Sequence, residues 1–234
     1  TVQNYRTTAK ICFKWTEQEK IYPNIADGVK GARLNQDHKK DYLTAEQAKE
    51  VLKSIDTSTL KGKRDYAIVS LMITGGLRTI EVVRADVGDL RSNGIQTVLY
   101  IQGKGKQEKT DFVIISDPVK EAIDNYLNSR ENIDDTQPLF TSVSNNNRGK
   151  RLTTRSVSGT VKTIMQEAGY DSERLTAHSL RHTAVTLSLL AGNDITEVQQ
   201  FARHSNISTT MIYNHALEKA KNQCSNSISN ELFN

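Results

Sequence analysis

KRDYAIVSLMITGG, residues 63–76, constrains the fold more than any other stretch of this chain. It reads as a strongly apolar, buried helix that stops at Gly75–Gly76, where glycine can take the left-handed conformation that ends a helix. A buried helix needs other elements packed around it. Only 36% of the 234 residues are hydrophobic, but a chain of this length buries its surface efficiently enough to build a core. The length allows one large domain, or one domain with a small appendage.

The elements around that helix can be read from their punctuation. LTAEQAKEVLKSI (43–55) opens with Thr44 and Gln47 at capping-box spacing, which predicts a helix start. TIEVVRA (79–85) is a short helix. TVLYIQG (97–103) and TDFVIIS (110–116) are β-rich runs around KGKQEK, which predicts a hairpin with a charged tip. DPVKEAIDNYLNSR (117–130) is helical, with Asp117 as cap and Pro118 first. Helices follow near 156–168, over HSLRHTAVTLSLLAG to Gly192, over DITEVQQFARH, and over STTMIYNH, capped near Ser208. The expectation is a mainly α chain with a small antiparallel β-sheet (α+β).

The ends differ from this middle. Residues 1–19 form an amphipathic stripe, and residues 21–42 shift to turn residues and bases, as a linker does. The division expected is 1–25, terminal helix; 26–42, linker; 43–215, main domain; and 216–234, polar tail. The chain opens on Thr rather than Met and reads as part of something longer. Cys12 and Cys224 have no CxxC partner, which fits a reducing cytosol, and no stretch approaches 18 apolar residues. Net charge is only +4, yet KGKQEK (104–109) and RGKRLTTR (148–155) concentrate bases. Such patches fit a polyanion better than a membrane, or else are solvated loops.

Four of the five histidines fall between residues 178 and 215. His178 and His182 have an i, i+4 metal-ligand spacing, but Ser179 stands where a metalloprotease needs Glu, and no acidic third ligand is nearby in sequence. GKGKQEKT is not a phosphate-binding loop, because Glu108 occupies the second glycine position. There is no GxSxG nucleophile elbow. What remains is a set: Arg78, Lys104, His178, Arg181, His204 and Tyr213. Phosphodiester transfer without a metal needs these residue types. Arginines chelate phosphate oxygens bidentately and stabilise the charge that builds on five-coordinate phosphorus. A tyrosine can attack phosphorus if cations or a base activate it, and a lysine can protonate a leaving oxygen.

TGGLRTIE, QGKGKQEK, AHSLRHT and RHSNISTTMIYNH occur in the order of the tyrosine recombinase (phage integrase) family signature, and the chain resembles that family over roughly residues 40–220. The resemblance implies the tyrosine recombinase catalytic domain fold. It carries Arg78, Lys104, His178, Arg181 and His204 over as catalytic residues, Tyr213 as nucleophile, and Glu81 as the acidic companion of Arg78. It implies strand cleavage and rejoining through a 3′-phosphotyrosyl link, with no metal, cofactor or ATP. The partners implied are double-stranded DNA and other copies of the chain, a tetramer on DNA and a monomer when free, with no membrane. The location is cytoplasmic and nucleoid-associated, in a bacterium or phage. Lys106, Lys109, Arg148, Lys150, Arg151, Arg155 and Arg203 are candidate DNA contacts.

Residues 1–31 resemble the last core-binding-domain helix and interdomain linker of the family. Lacking the rest of that domain, the chain is expected to bind DNA more weakly. The tail from Ala216 either docks on a neighbouring protomer or frays. Two departures stand out: a doubled glycine at Gly75–Gly76, and Ala202–Arg203 where the family has Leu-Gly. Arg203 is expected to alter the local backbone or add a phosphate contact. A type IB topoisomerase-like activity and a non-catalytic DNA-binding module stay open as alternatives.

Overall fold

The computed structural model describes residues 2–30, 41–103, 105, 107–131, 133–221, 227 and 230–232. The chain divides into two compact units, residues 1–37 and 38–234, at a point inside the stretch read as a linker. In the first unit, α1 (Val2–Gln18) buries none of its residues, and Lys20 beyond it turns into the left-handed region.

The second unit begins at α2 (Ala45–Lys53), whose start is the capping box its spacing predicts. Thr44 Oγ1 accepts from the Gln47 amide at 3.2 Å, and Gln47 Oε1 accepts from the Thr44 amide at 2.9 Å. Helix α3 (Leu60–Gly75) starts three residues earlier than its apolar run, because Thr59 caps it by accepting from the Gly62 amide. Position 62 has no room for a side chain: a Cβ there would meet Asp56 O at 1.7 Å. Helix α3 is buried on every side and packs against α2, α5 (Asp117–Leu127) and α7 (Ala177–Leu190). It ends on Gly76 at φ 57°, and α4 (Thr79–Arg84) follows.

The hairpin is present as β2 (Thr97–Ile101) and β3 (Asp111–Ile114). A third strand, β1 (Leu90–Ser92), pairs antiparallel with β2 and places Leu90 opposite Leu99. Three residues, LRS, are too short to show the alternation that marks a strand in sequence. Helix α5 is capped by Ser116, one residue before the expected Asp117. Then come α6 (Thr154–Glu167), α7, α8 (Ile195–Ala202) and α9 (Ile207–Lys221). Helix α9 is entered through Asn206, whose Oδ1 accepts from the Ser208 amide, and it runs six residues beyond the expected boundary at 215. The fold class is the mainly helical one expected, with one three-stranded antiparallel sheet.

Two apolar clusters hold this unit. The larger surrounds α3 and includes Tyr126, stacked on Phe140 at 5.8 Å between centroids. The smaller joins Val185 of α7, Val198 and Ala202 of α8, and Tyr213 of α9. Leu43, at the head of the unit, is tied to α7 by its amide, which donates to Thr183 Oγ1 at 2.9 Å.

Candidate active site

The site forms where three helix ends meet, the C-termini of α3 and α8 and the N-terminus of α4. The C-terminus of α3 presents the Gly76 carbonyl, and the C-terminus of α8 presents the Ala202 carbonyl. Arg181, one turn into α7, is 2% exposed and donates from Nη1 to Gly76 O at 2.5 Å and from Nη2 to Ala202 O. Desolvating a guanidinium costs several kcal/mol. Two charge-assisted bonds of roughly 1.5–3 kcal/mol each, made at the negative ends of two helix dipoles, offset most of that.

Arg78 is the N-cap of α4, where Glu81 closes a capping box. Glu81 is fully buried. Its Oε2 accepts from the Arg78 amide at 2.8 Å and from Arg203 Nη2 at 3.0 Å, and its Oε1 accepts from Arg78 Nη1 at 2.8 Å. Arg78 Nη2 donates to Arg203 O at 3.3 Å. Burial alone pushes the Glu81 carboxyl up, but Arg203, the Arg78 amide and the Arg78 guanidinium together hold it below the usual carboxylate range.

His204 follows the α8 C-terminus, and its Nδ1 is 2.9 Å from Thr210 Oγ1 of α9. Tyr213 is 5% exposed, and its ring lies between two histidines, 6.2 Å from His204 and 5.0 Å from His182 between centroids. His182 in turn meets the exposed His178 edge-on at 4.8 Å. Tyr213 is therefore both a core residue of the smaller cluster and a member of the site. Burial pushes its phenol up to about 12, while Arg181 and Arg78 pull the other way. His204 is pushed down to about 4, first by burial and then by Arg181, Arg78 and Arg203, so it is neutral at pH 7. Arg181 is pushed down to about 9 by burial and by the other two arginines, and stays charged at neutral pH.

The outer basic residues fall into two groups. Lys109 ion-pairs with Asp86 at 2.6 Å and also with Asp89, while Arg151 pairs with Asp86 and donates to Val83 O at 2.8 Å. Burial alone lowers Lys109, but the two carboxylates outweigh it and raise its affinity for the proton. Arg148, Lys150 and Arg155 are exposed and make no ion pair among the described residues. Lys104 and Lys106 lie outside the described residues. A cleft of about 520 Å³ opens beside Arg78 and His178, with Lys162 on its wall. Among the described residues no three His, Cys, Asp or Glu side chains are grouped to hold a metal, and no helix is long and apolar enough to cross a membrane.

The sequence model of the phage integrase family matches residues 41–220, more than half of the chain. The chain belongs to the phage integrase family. Relatives of this family member include tyrosine recombinase XerC of Caldanaerobacter subterraneus, 37% identical over 74% of this chain and 47% of that protein. XerC of Chlamydia trachomatis serovar L2 is 32% identical over 93% of this chain and 66% of that protein. The chain thus spans about half to two thirds of the length of these curated relatives. Its fold is shared with the XerH site-specific recombinase bound to a palindromic difH substrate, at TM-score 0.73 and 22% identity over 94% of this chain and 65% of that one. A lambda integrase dimer bound to a COC′ core site aligns at TM-score 0.65 and 17% identity, covering 88% of this chain and 72% of that one.

Within this phage integrase fold, Arg78, His178, Arg181, His204 and Tyr213 all belong to the elements that meet at the site. Arg203 does not reach outward. It occupies the left-handed C-cap of α8 at φ 54°, a conformation that costs a non-glycine residue about 1–2 kcal/mol. Its guanidinium turns inward to Glu81, Phe201 O, Gly75 O and Gly76 O, and those charge-assisted bonds outweigh the backbone cost. Two residues were missed by sequence reasoning. Thr210, the partner of His204, is one of two adjacent threonines with nothing to single it out. His182 against Tyr213 has the i+4 offset from His178 as its only signal.

Proposed function

We propose that this chain is the catalytic part of a site-specific DNA recombinase that cleaves and rejoins strands through a 3′-phosphotyrosyl link. The observation that carries this reading is the convergence of Arg78, Arg181 and the His204–Tyr213 segment, three stretches far apart in sequence, on one cationic site. The names of the curated relatives support strand exchange over relaxation of supercoils.

In the proposed first step, Arg78 and Arg181 bind the non-bridging oxygens of the scissile phosphate and neutral His204 donates a hydrogen bond to one of them. The Tyr213 oxygen bonds to phosphorus as the bond to the 5′-oxygen breaks. The phenol proton passes to His178, and Lys104 protonates the leaving oxygen. In the second step a 5′-hydroxyl from a partner strand attacks the same phosphorus and Tyr213 leaves. Bond energy is kept in the covalent link, so the cycle needs no ATP or metal. Desolvation holds Tyr213 protonated in the free site, and the arginines supply the potential that lowers it when phosphate aligns the groups. Exposed Arg148, Lys150 and Arg155 contact the DNA backbone, joined by Lys106 and Lys109 from the basic run between the two strands in sequence. The working species is a homo-oligomer on duplex DNA, a tetramer when two sites pair and a monomer when free. Residues 43–215 form the catalytic domain, and the cellular location is the nucleoid.

The test is covalent trapping on a library of nicked suicide duplexes, followed by sequencing of the joined DNA. The wild-type chain is expected to form a denaturant-resistant adduct, and Tyr213→Phe to form none while still binding DNA. An adduct that persists in Tyr213→Phe would sink the assignment.

A further inference from the structure

We infer that Arg203 is a positioning residue that keeps Arg78 aimed at the phosphate by taking up one oxygen of Glu81. The inference rests on the recombinase reading above.

Its basis is the way one carboxylate is divided. Glu81 Oε2 is occupied by Arg203 Nη2 at 3.0 Å and by the Arg78 amide at 2.8 Å, which leaves only Oε1 for the Arg78 side chain. The Arg203 backbone supplies the second fixed point, because its carbonyl accepts from Arg78 Nη2 at 3.3 Å. Arg78 is therefore held by one hydrogen on each terminal nitrogen, and it also lines the cleft beside His178. Without the Arg203 guanidinium, Oε2 would lose its charged partner. A carboxylate and a guanidinium left to themselves close into a two-bond pair. That pair would turn the donor edge of Arg78 onto Glu81 and away from substrate.

Arg203 also joins the two helix ends that hold Arg181. It donates to Gly76 O at 3.0 Å, the same carbonyl that accepts from Arg181, and its own chain neighbour Ala202 supplies the other acceptor of Arg181. Each of its terminal nitrogens already donates two hydrogen bonds, Nη1 to Gly75 O and Phe201 O and Nη2 to Gly76 O and Glu81, which leaves no terminal donor for a direct phosphate contact. Two guanidinium groups thus share one buried carboxylate while Arg181 is held only by carbonyls, and the surplus positive charge falls on the His204 side of the site.

The experiment uses the full chain with Arg203→Gly and Arg203→Lys, and reads two signals. The first is the single-turnover rate of covalent adduct formation on the trapped suicide site. It should fall about a hundredfold in Arg203→Gly, the scale expected when a clamp is misaimed. It should fall less in Arg203→Lys, which keeps the charge but lacks the planar fork. The second is the titration of His204 in the DNA-free chain by NMR. In Arg203→Gly it should move up toward the ordinary histidine range, and in Arg203→Lys it should stay low. Wild-type trapping rates in both variants would overturn the inference. So would a slowed Arg203→Gly whose His204 titration is unchanged, since that is the mark of a merely structural role. If Arg203→Gly does not fold, Arg203→Lys decides: a slower rate supports the inference and an equal rate ends it. Failure of the wild-type chain itself to form any adduct would count against the recombinase reading, and the His204 titration would still report on Arg203.

Discussion

Two groups of cations in this molecule differ in everything but charge. Arg78, Arg181 and Arg203 lie far apart in sequence, are half-buried to fully buried, and are held by carbonyls and one carboxylate at helix ends. The bases of 148–155 are neighbours in sequence and mostly exposed. A run of bases catches the eye in a sequence, but the inner group has the fixed geometry that the proposed phosphoryl transfer needs. Fixed donors act without reorganising when charge develops, while mobile surface charges mainly raise local affinity. Arg151 crosses between the groups: it belongs to the run by sequence and to an internal ion pair with Asp86 by structure.

The hardest way to break the comparison is Arg181→Lys. It keeps the charge but loses the fork that reaches Gly76 O and Ala202 O. Adduct formation should fall by about 10²–10³-fold, measured as single-turnover trapping. A loss under about tenfold would mean that charge alone matters and the inner group is not special.

A smaller effect sharpens the outer group. Replacing Arg148, Lys150 or Arg155 by Ala should each lower the slope of log affinity against log salt by about 0.9, the contribution of one phosphate contact. Arg151→Ala should leave that slope unchanged. It should instead lower the melting temperature by a few degrees at most, because a partly exposed ion pair contributes about 0–1 kcal/mol. Salt titrations of DNA binding and thermal melts separate the two, and a slope change in Arg151→Ala would move it to the outer group.

A separate readout of the inner group is the pH dependence of stability. His204 is held at about 4 in the folded chain, below the ordinary value of about 6.5. Between those values the unfolded chain binds the proton that the folded chain refuses, so stability is lost as pH falls through this window and is recovered above it. Urea midpoints at pH 7, 6 and 5 should decline in the wild-type chain and decline less in His204→Gln. Equal declines would mean that the inner arginines exert no such field on His204.

How much of this was legible depends on how local the cause was. The Thr44 capping box, the Gly76 stop and the Asp194 start of α8 follow from a few adjacent residues, and all appear where the spacing puts them. Helix α5 is displaced by one residue, because Ser116 holds the extended N-cap backbone and Asp117 is already in the first turn, though the Ser116 side chain makes no cap hydrogen bond. Strand β1 was invisible because it exists by pairing with β2 and not by its own pattern. At the site, the order of boxes pointed to Arg78, His178, Arg181, His204 and Tyr213. It did not indicate that Arg203 turns inward, since both an inward and an outward arginine are compatible with the same sequence.

The sequence alone determined the helices, the hairpin, the buried character of α3 and the set of residue types a phosphodiester site requires. These rest on propensity, capping and period, which act over a few residues. Only the tertiary structure decided that Tyr213 is a core residue as well as a candidate nucleophile, that Glu81 is shared by two arginines, and that Lys109 and Arg151 are committed to Asp86. Those outcomes depend on which helix ends are brought within about 3 Å of one another, where burial removes water and makes the choice of partner decisive.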